Sequence, residues 1–226
     1  MNVKVLFVSV SLALVGVLLL AITANAVPQI SGPAGTVRWT EGAPNATSEV
    51  KNDTKIEGLK TDDIHIFVSL ADLKETEYNR VWVQVSNHSK APVDFDPQSA
   101  ILLTSKDKTA HAEVPDKAAK AIQKFGEAKS QELSSAHCNM MAAVQCQPTN
   151  AQMQMSKQVA AFSGRQAQWV RDNALAKKTL AAGEEAQGVI VFKKDKKPAD
   201  YILRCPIGSQ LFEFPVSAQN KAPSYD

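Results

Sequence analysis

The chain has little of what catalytic motifs are made from. Its 226 residues include three cysteines, four histidines and ten glycines. No Gly-rich loop of the kind that cradles phosphate occurs, which removes the common nucleotide-binding motifs. No Gly-x-Ser-x-Gly turn occurs either, so the usual mark of a Ser-His-Asp hydrolase is missing. The cysteines and histidines lack the Cys-x-x-Cys and His-x3-His spacings that hold zinc. Asp62-Asp63 and Asp94-x-Asp96 lack the spaced loop of a calcium site, and turn or strand-end chemistry accounts for both. The histidines at 65, 88, 111 and 137 are scattered and suggest no constellation. These absences point away from an enzyme and predict no cofactor; a hydrolase with a dispersed site is the remaining catalytic alternative.

Charge of one sign is also lacking. Against 25 Lys and Arg stand 23 Asp and Glu, so the balance gives no electrostatic reason to expect nucleic acid or an anionic membrane as partner. The local run Lys193-Lys194-Asp195-Lys196-Lys197 reads as a solvated hairpin turn.

What is present begins with an export signal. Lys4 and the amino terminus form a small positive region, Val5 to Ile22 is almost wholly apolar, and Ala24-Asn25-Ala26 matches a small-x-small cleavage site. Cleavage after Ala26 leaves a chain starting Val27-Pro28. The alternative is an uncleaved anchor, since about 18 apolar residues just span a bilayer. With cleavage favoured, residues 1–26 are a signal peptide, no stable membrane insertion remains, and a periplasmic or extracellular bacterial protein is expected. The sequons at Asn45, Asn52 and Asn87 are read as chance matches in such a source.

Residues 27–53, rich in Pro, Gly, Ser, Thr and Asn, read as a flexible leader with one short strand near Thr36–Thr40. Trp39 within it is expected to dock back on the domain. Residues 54–216 form the domain and 217–226 a disordered tail. Strand patterning is clear at Ile64–Leu70, with Ile64, Ile66, Val68 and Leu70 on one face, and at Arg80–Asn87, with Val81, Val83 and Val85 together. Pro92 and Pro97 predict an edge or crossover between them. Further strands are expected at Ser99–Thr104 and near Ala110–Val114.

The period then changes to helical. Pro115-Asp116 is a helix start, and Ala118, Ala119, Ile122 and Phe125 follow at helical spacing. A second helix is expected from an Asn150 N-cap to about Lys177, with Met155, Val159, Phe162, Trp169 and Val170 as its apolar stripe. Residues 115–177 thus form an inserted α-helical hairpin. Its stripe is read first as packing; on a projecting hairpin, Met155, Phe162 and Trp169 become a protein-binding surface instead.

Thr179–Val216 carries three apolar runs, Gly188–Phe192, Tyr201–Cys205 and Gln210–Val216, that predict an antiparallel meander. Leu203, Cys205 and Ile207 share a face, as do Phe212, Phe214 and Val216. The pattern Thr179-Leu180-x-x-Gly183-Glu184, Gly188-x-x-x-Phe192, Tyr201-Ile202-Leu203 and Phe212-Glu213-Phe214 resembles the end of secreted bacterial immunoglobulin-like domains of the immunoprotective-extracellular-protein type. Val81-Trp82-Val83-Gln84-Val85-Ser86-Asn87 with Val93-Asp94-Phe95 fits the same family upstream. The resemblance implies a mainly β fold, an immunoglobulin-like antiparallel sandwich of about seven strands, and an exported, non-enzymatic protein without a defined ligand.

One cluster in the insertion suggests chemistry. His137-Cys138-x-Met140-Met141, Cys146 and Met153-x-Met155 combine soft ligands that suit Cu(I), so a periplasmic copper-binding protein is an alternative function with His137, Cys138, Met140 and Cys146 as its ligands. A Cys138–Cys146 disulfide at the hairpin tip, with Met filling helix-packing gaps, is the plainer reading. Along one helix the two Cα atoms would be roughly 12 Å apart, against about 7 Å for a disulfide. The bond therefore requires a helix break, and two unlinked thiols are the further alternative. Cys205 is expected to be a buried free thiol. The leading expectation is a non-catalytic binding protein of the bacterial cell envelope whose partner is a protein or envelope component.

Overall fold

The computed structural model describes residues 35–51, 54–72, 76–104, 108–135, 148–194 and 200–217. They lie within one compact unit that starts at Gly32. In chain order the elements are β1 (Thr36–Arg38), β2 (Ala46–Lys51), β3 (Thr54–Lys60), β4 (Ile64–Asp72), β5 (Tyr78–Asn87), β6 (Val93–Phe95), a 3-10 turn at Pro97–Ser99, β7 (Ile101–Thr104) and β8 (Thr109–His111). Then come α1 (Pro115–Ser135), α2 (Asn150–Asn173), β9 (Lys178–Leu180), β10 (Glu185–Lys193), β11 (Asp200–Ile207) and β12 (Gln210–Ser217). The fold is mainly β, with two helices and two sheets.

The five-stranded sheet runs β10-β5-β4-β3-β2, antiparallel throughout. The seven-stranded sheet runs β1-β12-β11-β6-β9, with β7 on β11 and β8 on β7. Strand alternation sets the core between them. Ile66, Val68 and Leu70 of β4 and Val81, Val83 and Val85 of β5 meet Leu203, Cys205 and Ile207 of β11 and Phe212 and Phe214 of β12, all buried. Burying such side chains contributes about 1.5–3 kcal/mol each relative to exposure, so this double row is the main stabilising mass.

Prolines sit where the sheet needs no donor. On its second edge β11 pairs with β7 through Arg204 and with β6 through Ile207. Pro206 falls in the gap between those two neighbours. Pro215 of β12 lies past the end of β1, whose pairing stops at Glu213. Neither costs a ladder bond.

Several expectations are corrected. Among the described residues twelve strands occur where about seven were expected, because short strands at 36–38, 93–95, 109–111 and 178–180 add to the longer ones. The residues read as leader contribute β1, which pairs in parallel with β12, and β2, which pairs with β3. Backbone pairing orders them despite their polar side chains. Trp39 is buried as expected and donates from Nε1 to the Thr47 carbonyl at 3.0 Å. Thr179–Val216 is not a meander: β10 crosses to the five-stranded sheet and pairs with β5, while only β11 and β12 form a hairpin. Gly188 to Phe192 is buried without a break, and such a strand must be covered on both faces. The core covers one and the helices cover the other. The segment is a crossover, since the chain passes from β5 of the five-stranded sheet to β6 of the seven-stranded one, but β6 is not an edge: Phe95 pairs with Ile207 and with Lys178.

The signal peptide 1–26, most of the tail 217–226, and residues 136–147 with His137, Cys138, Met140 and Cys146 lie outside the described residues.

Candidate interaction surface on the helical hairpin

The hairpin leaves and rejoins the sandwich on one strand. The Glu113 N–H donates to the Val191 carbonyl at 2.8 Å and the Leu175 N–H to the Val189 carbonyl at 3.0 Å. Both contacts complete the free edge of β10. Gly188 permits the return, because a Cβ there would press on the Asn173 carbonyl and on Leu175.

At its base the hairpin has a small core of its own. Ala118, Ala119 and Ile122 of α1 and Ala167 and Val170 of α2 bury Tyr78 and Val191 on the outer face of the five-stranded sheet. The Arg80 guanidinium lies over the Trp169 ring, 4.7 Å from its centroid, and Arg171 pairs with Asp116 at 3.7 Å. Trp169, expected as interaction surface, is thus half-buried at the anchor.

Beyond that base the two helices seal against each other through small residues. Gly126 faces Ser163 so closely that a Cβ on Gly126 would collide with the serine side chain. One step further out, the Ser130 and Ser156 hydroxyls are 2.6 Å apart and Ser156 Oγ donates to the Ser130 carbonyl at 2.9 Å. The order of these pairs makes the helices antiparallel. Thr149, not Asn150, is the N-cap of α2: Thr149 Oγ1 accepts from the Gln152 N–H while Gln152 Oε1 accepts from the Thr149 N–H, a capping box. The helix ends at Asn173, four residues before the expected Lys177.

Because small residues fill the seam, the large ones are left outside. Phe125 and Phe162 are each 39% exposed and Met155 is 55% exposed. The packing reading of Met155 and Phe162 is therefore corrected, and so is Phe125 as a core residue. Phe125, Phe162, Met155 and Trp169 each precede by one position a seam residue: Gly126, Ser163, Ser156 and Val170. At about 100° per residue, the residue before the seam in either helix of an antiparallel pair turns to the same side. The four large side chains thus lie along one flank. The sequence contains the signal, since Gly126, Ser130, Ser156 and Ser163 recur at helical spacing, but the stripe of large apolar residues beside them carries the stronger hydrophobic pattern.

Elsewhere the expected groups are occupied structurally. Cys205 is a free, buried thiol, and burial pushes its pKa up to about 12. Asp94 Oδ1 accepts from Thr179 Oγ1 at 2.6 Å, while Asp96 caps the turn at Gln98 and pairs with Lys177 at 3.2 Å. Contrary to the expectation that the histidines are scattered, the His65 and His88 rings are in contact, tilted by 37° with centroids 3.9 Å apart. Burial, with His88 and Lys60 nearby, holds the His65 imidazole below its ordinary value. Among the described residues no group of three or more His, Cys, Asp or Glu is placed to hold a metal ion. Between the sheets, near Lys55, Glu57, Leu70, Tyr201 and Val216, is a cavity of about 140 Å³. Glu57 is buried there and pairs with Lys55 at 2.5 Å.

No protein-family model matches the chain, and no curated protein matches it. Among solved structures, the chain is similar to the yjhA protein from Bacillus subtilis, a structural-genomics crystal structure, at 10% identity over 76% of this chain and 96% of that one, with a TM-score of 0.34. At that score the likeness carries no argument about function. Among the described residues no helix is long and apolar enough to cross a membrane.

Proposed function

We propose that this protein is an exported, non-catalytic binding protein of the bacterial cell envelope, periplasmic or extracellular, that holds a protein partner on one flank of its helical hairpin. The observation that carries the reading is the exposed row Phe125, Phe162 and Met155 on helices whose own seam is closed by small residues. Aromatic and Met side chains are enriched at the cores of protein interfaces, and a contiguous apolar flank on a monomer marks such a site. Among the described residues the hairpin packs on the sandwich through its base core, and Phe125, Phe162 and Met155 lie exposed beyond it.

We read the sandwich as immunoglobulin-like, of the immunoprotective-extracellular-protein type. Asn87 supports this, since it ties together the two blocks in which the resemblance lies. Its Nδ2 donates to the Leu180 and Ala181 carbonyls at 2.9 and 3.1 Å, and the Gly183 N–H donates to the Asn87 carbonyl at 2.7 Å.

The test is quantitative co-purification from the source envelope with the intact chain and a Phe125→Ser/Phe162→Ser chain. A single partner depleted at least about tenfold with the variant supports the reading, as loss of two aromatic anchors should remove 1.4 kcal/mol or more. Equal recovery of every protein by both chains would sink it. N-terminal sequencing of the mature protein should begin at Val27.

A further inference from the structure

The hairpin covers Tyr78 and Val191 on the outer face of the five-stranded sheet; the outer face of the seven-stranded sheet carries a different pattern. In one row across β1, β12, β11, β7 and β8 stand Arg38, Glu213, Arg204, Ile101 and His111, each the register partner of the next. Glu213 is 1% exposed although it points away from the core, because the two arginines, at 28% and 22% exposure, close over it. Arg38 donates from Nε to Oε2 at 2.8 Å and Arg204 from Nε to Oε1 at 2.6 Å.

Glu213 is the one acid in that row, and both guanidinium groups turn to it. The neighbouring rows are Thr36, Leu211 and Pro206 on one side and Pro215, Ile202, Leu103 and Thr109 on the other. Neither holds an acid. Arg204 is fixed by Nε alone among its described contacts, which leaves its Nη fork for a second acceptor. A guanidinium held rigid by one carboxylate loses little freedom on taking another, and its fork matches a carboxylate bidentately. Ile101, Ile202 and Leu211 flank it, half-buried, on the same face.

We propose that this face is a docking surface for a protein segment that presents a carboxylate between apolar side chains, the carboxylate pairing with Arg204 and the apolar groups lying on Ile101, Ile202 and Leu211. A fixed cation ringed by aliphatic surface selects that combination, since a neutral apolar segment would desolvate the guanidinium without pairing it. The site is independent of the hairpin flank.

The test selects binders to the immobilised full chain from a displayed library of random dodecapeptides, then measures the best peptide and its Glu→Gln or Asp→Asn twin by calorimetry. The expected result is a consensus with an acidic residue flanked by aliphatic ones, weakened about tenfold or more in the twin. Ile101→Glu is the decisive variant, because position 101 is the cross-strand partner of Arg204. It supplies an internal carboxylate to the open fork and should abolish binding without lowering thermal stability. Arg204→Gln should abolish it too, while Phe125→Ser/Phe162→Ser should not. A consensus without an acid, no consensus at all, or binding unaltered by Ile101→Glu in a folded protein overturns the proposal. So does a dimer in sedimentation that Ile101→Glu dissociates, which would make the occupant a second copy of this chain.

Discussion

At the scale of single residues, the polar groups buried at the ends of the sandwich are the ones with measurable consequences. Asn87 is fully buried, and its amide serves five partners: the carbonyls of Ala91, Leu180 and Ala181 accept from Nδ2, while the Ser89 N–H and Oγ donate to Oδ1. Asn87→Ala orphans several of these at once and should cost about 2–4 kcal/mol, from 1–3 kcal/mol per unsatisfied buried group. Urea denaturation measures it, and a loss below about 1 kcal/mol would show that water replaces the amide. The same burial makes Asn87 unusable as a glycosylation acceptor in the folded chain. Its strand-end position was legible in sequence; its bonds to Leu180 and Ala181 were not, because those carbonyls lie 93 and 94 residues away. Glu57 behaves oppositely. Burial raises its pKa from the ordinary 4.5, with the Lys55 hydrogen bond and charge pulling down and Glu41 adding a smaller push up. A raised folded value means that the folded state holds the proton more tightly than the unfolded one. The stabilisation is therefore complete below the ordinary value and is lost as pH rises through the folded one. Thermal midpoints of Glu57→Gln and the parent should diverge in favour of the variant between pH 4 and pH 7. A pH-independent difference would contradict this.

At the scale of elements, the hairpin shows how packing overrides amphipathic pattern. Large apolar residues at helical spacing in α2 invited a core reading, but two helices joined as a hairpin approach more closely along Gly126, Ser130, Ser156 and Ser163. Contact at that seam is decided by which side chains permit the shortest interaxial distance. The largest residues are then turned to the flank. Gly126→Val is accordingly expected to drive the helices apart at Ser163, costing about 1–3 kcal/mol for overpacking. Amide exchange should rise in Pro115–Ser135 and Asn150–Asn173 while β4, β5, β11 and β12 keep their protection. Uniform loss of protection across both sheets would show that hairpin and sandwich unfold as one unit. The strands tell a complementary story. The alternation in β4, β5, β11 and β12 was readable because one face of each is core, whereas β1 and β2 have no apolar alternation and are held by ladder bonds to β12 and β3.

At the scale of the whole molecule, the insertion leaves and rejoins the sandwich on one strand, β10, and this makes it removable. Glu113 and Leu175 bond to carbonyls two residues apart on β10, a separation of about 6.6 Å. Replacing Pro115–Asn173 by a short Gly-Ser linker should leave the strand circular dichroism intact. The cost should be about 2–5 kcal/mol for uncovering Tyr78 and Val191, and collapse of the β signal would show that the helices are required for β10 to form. By itself the sequence determined the mainly β character, the core faces of the long strands, the inserted helical hairpin and the buried thiol at Cys205. Each of these rests on local periodicity or on the chemistry of one side chain. Only the tertiary structure decided that β10 leaves its sequence neighbours for β5, that the small residues rather than Phe125, Phe162 and Met155 close the hairpin, and that Arg38, Glu213 and Arg204 stand in one row. Those outcomes depend on which distant strands pair and on how closely two surfaces approach, and neither quantity is a property of a segment taken alone.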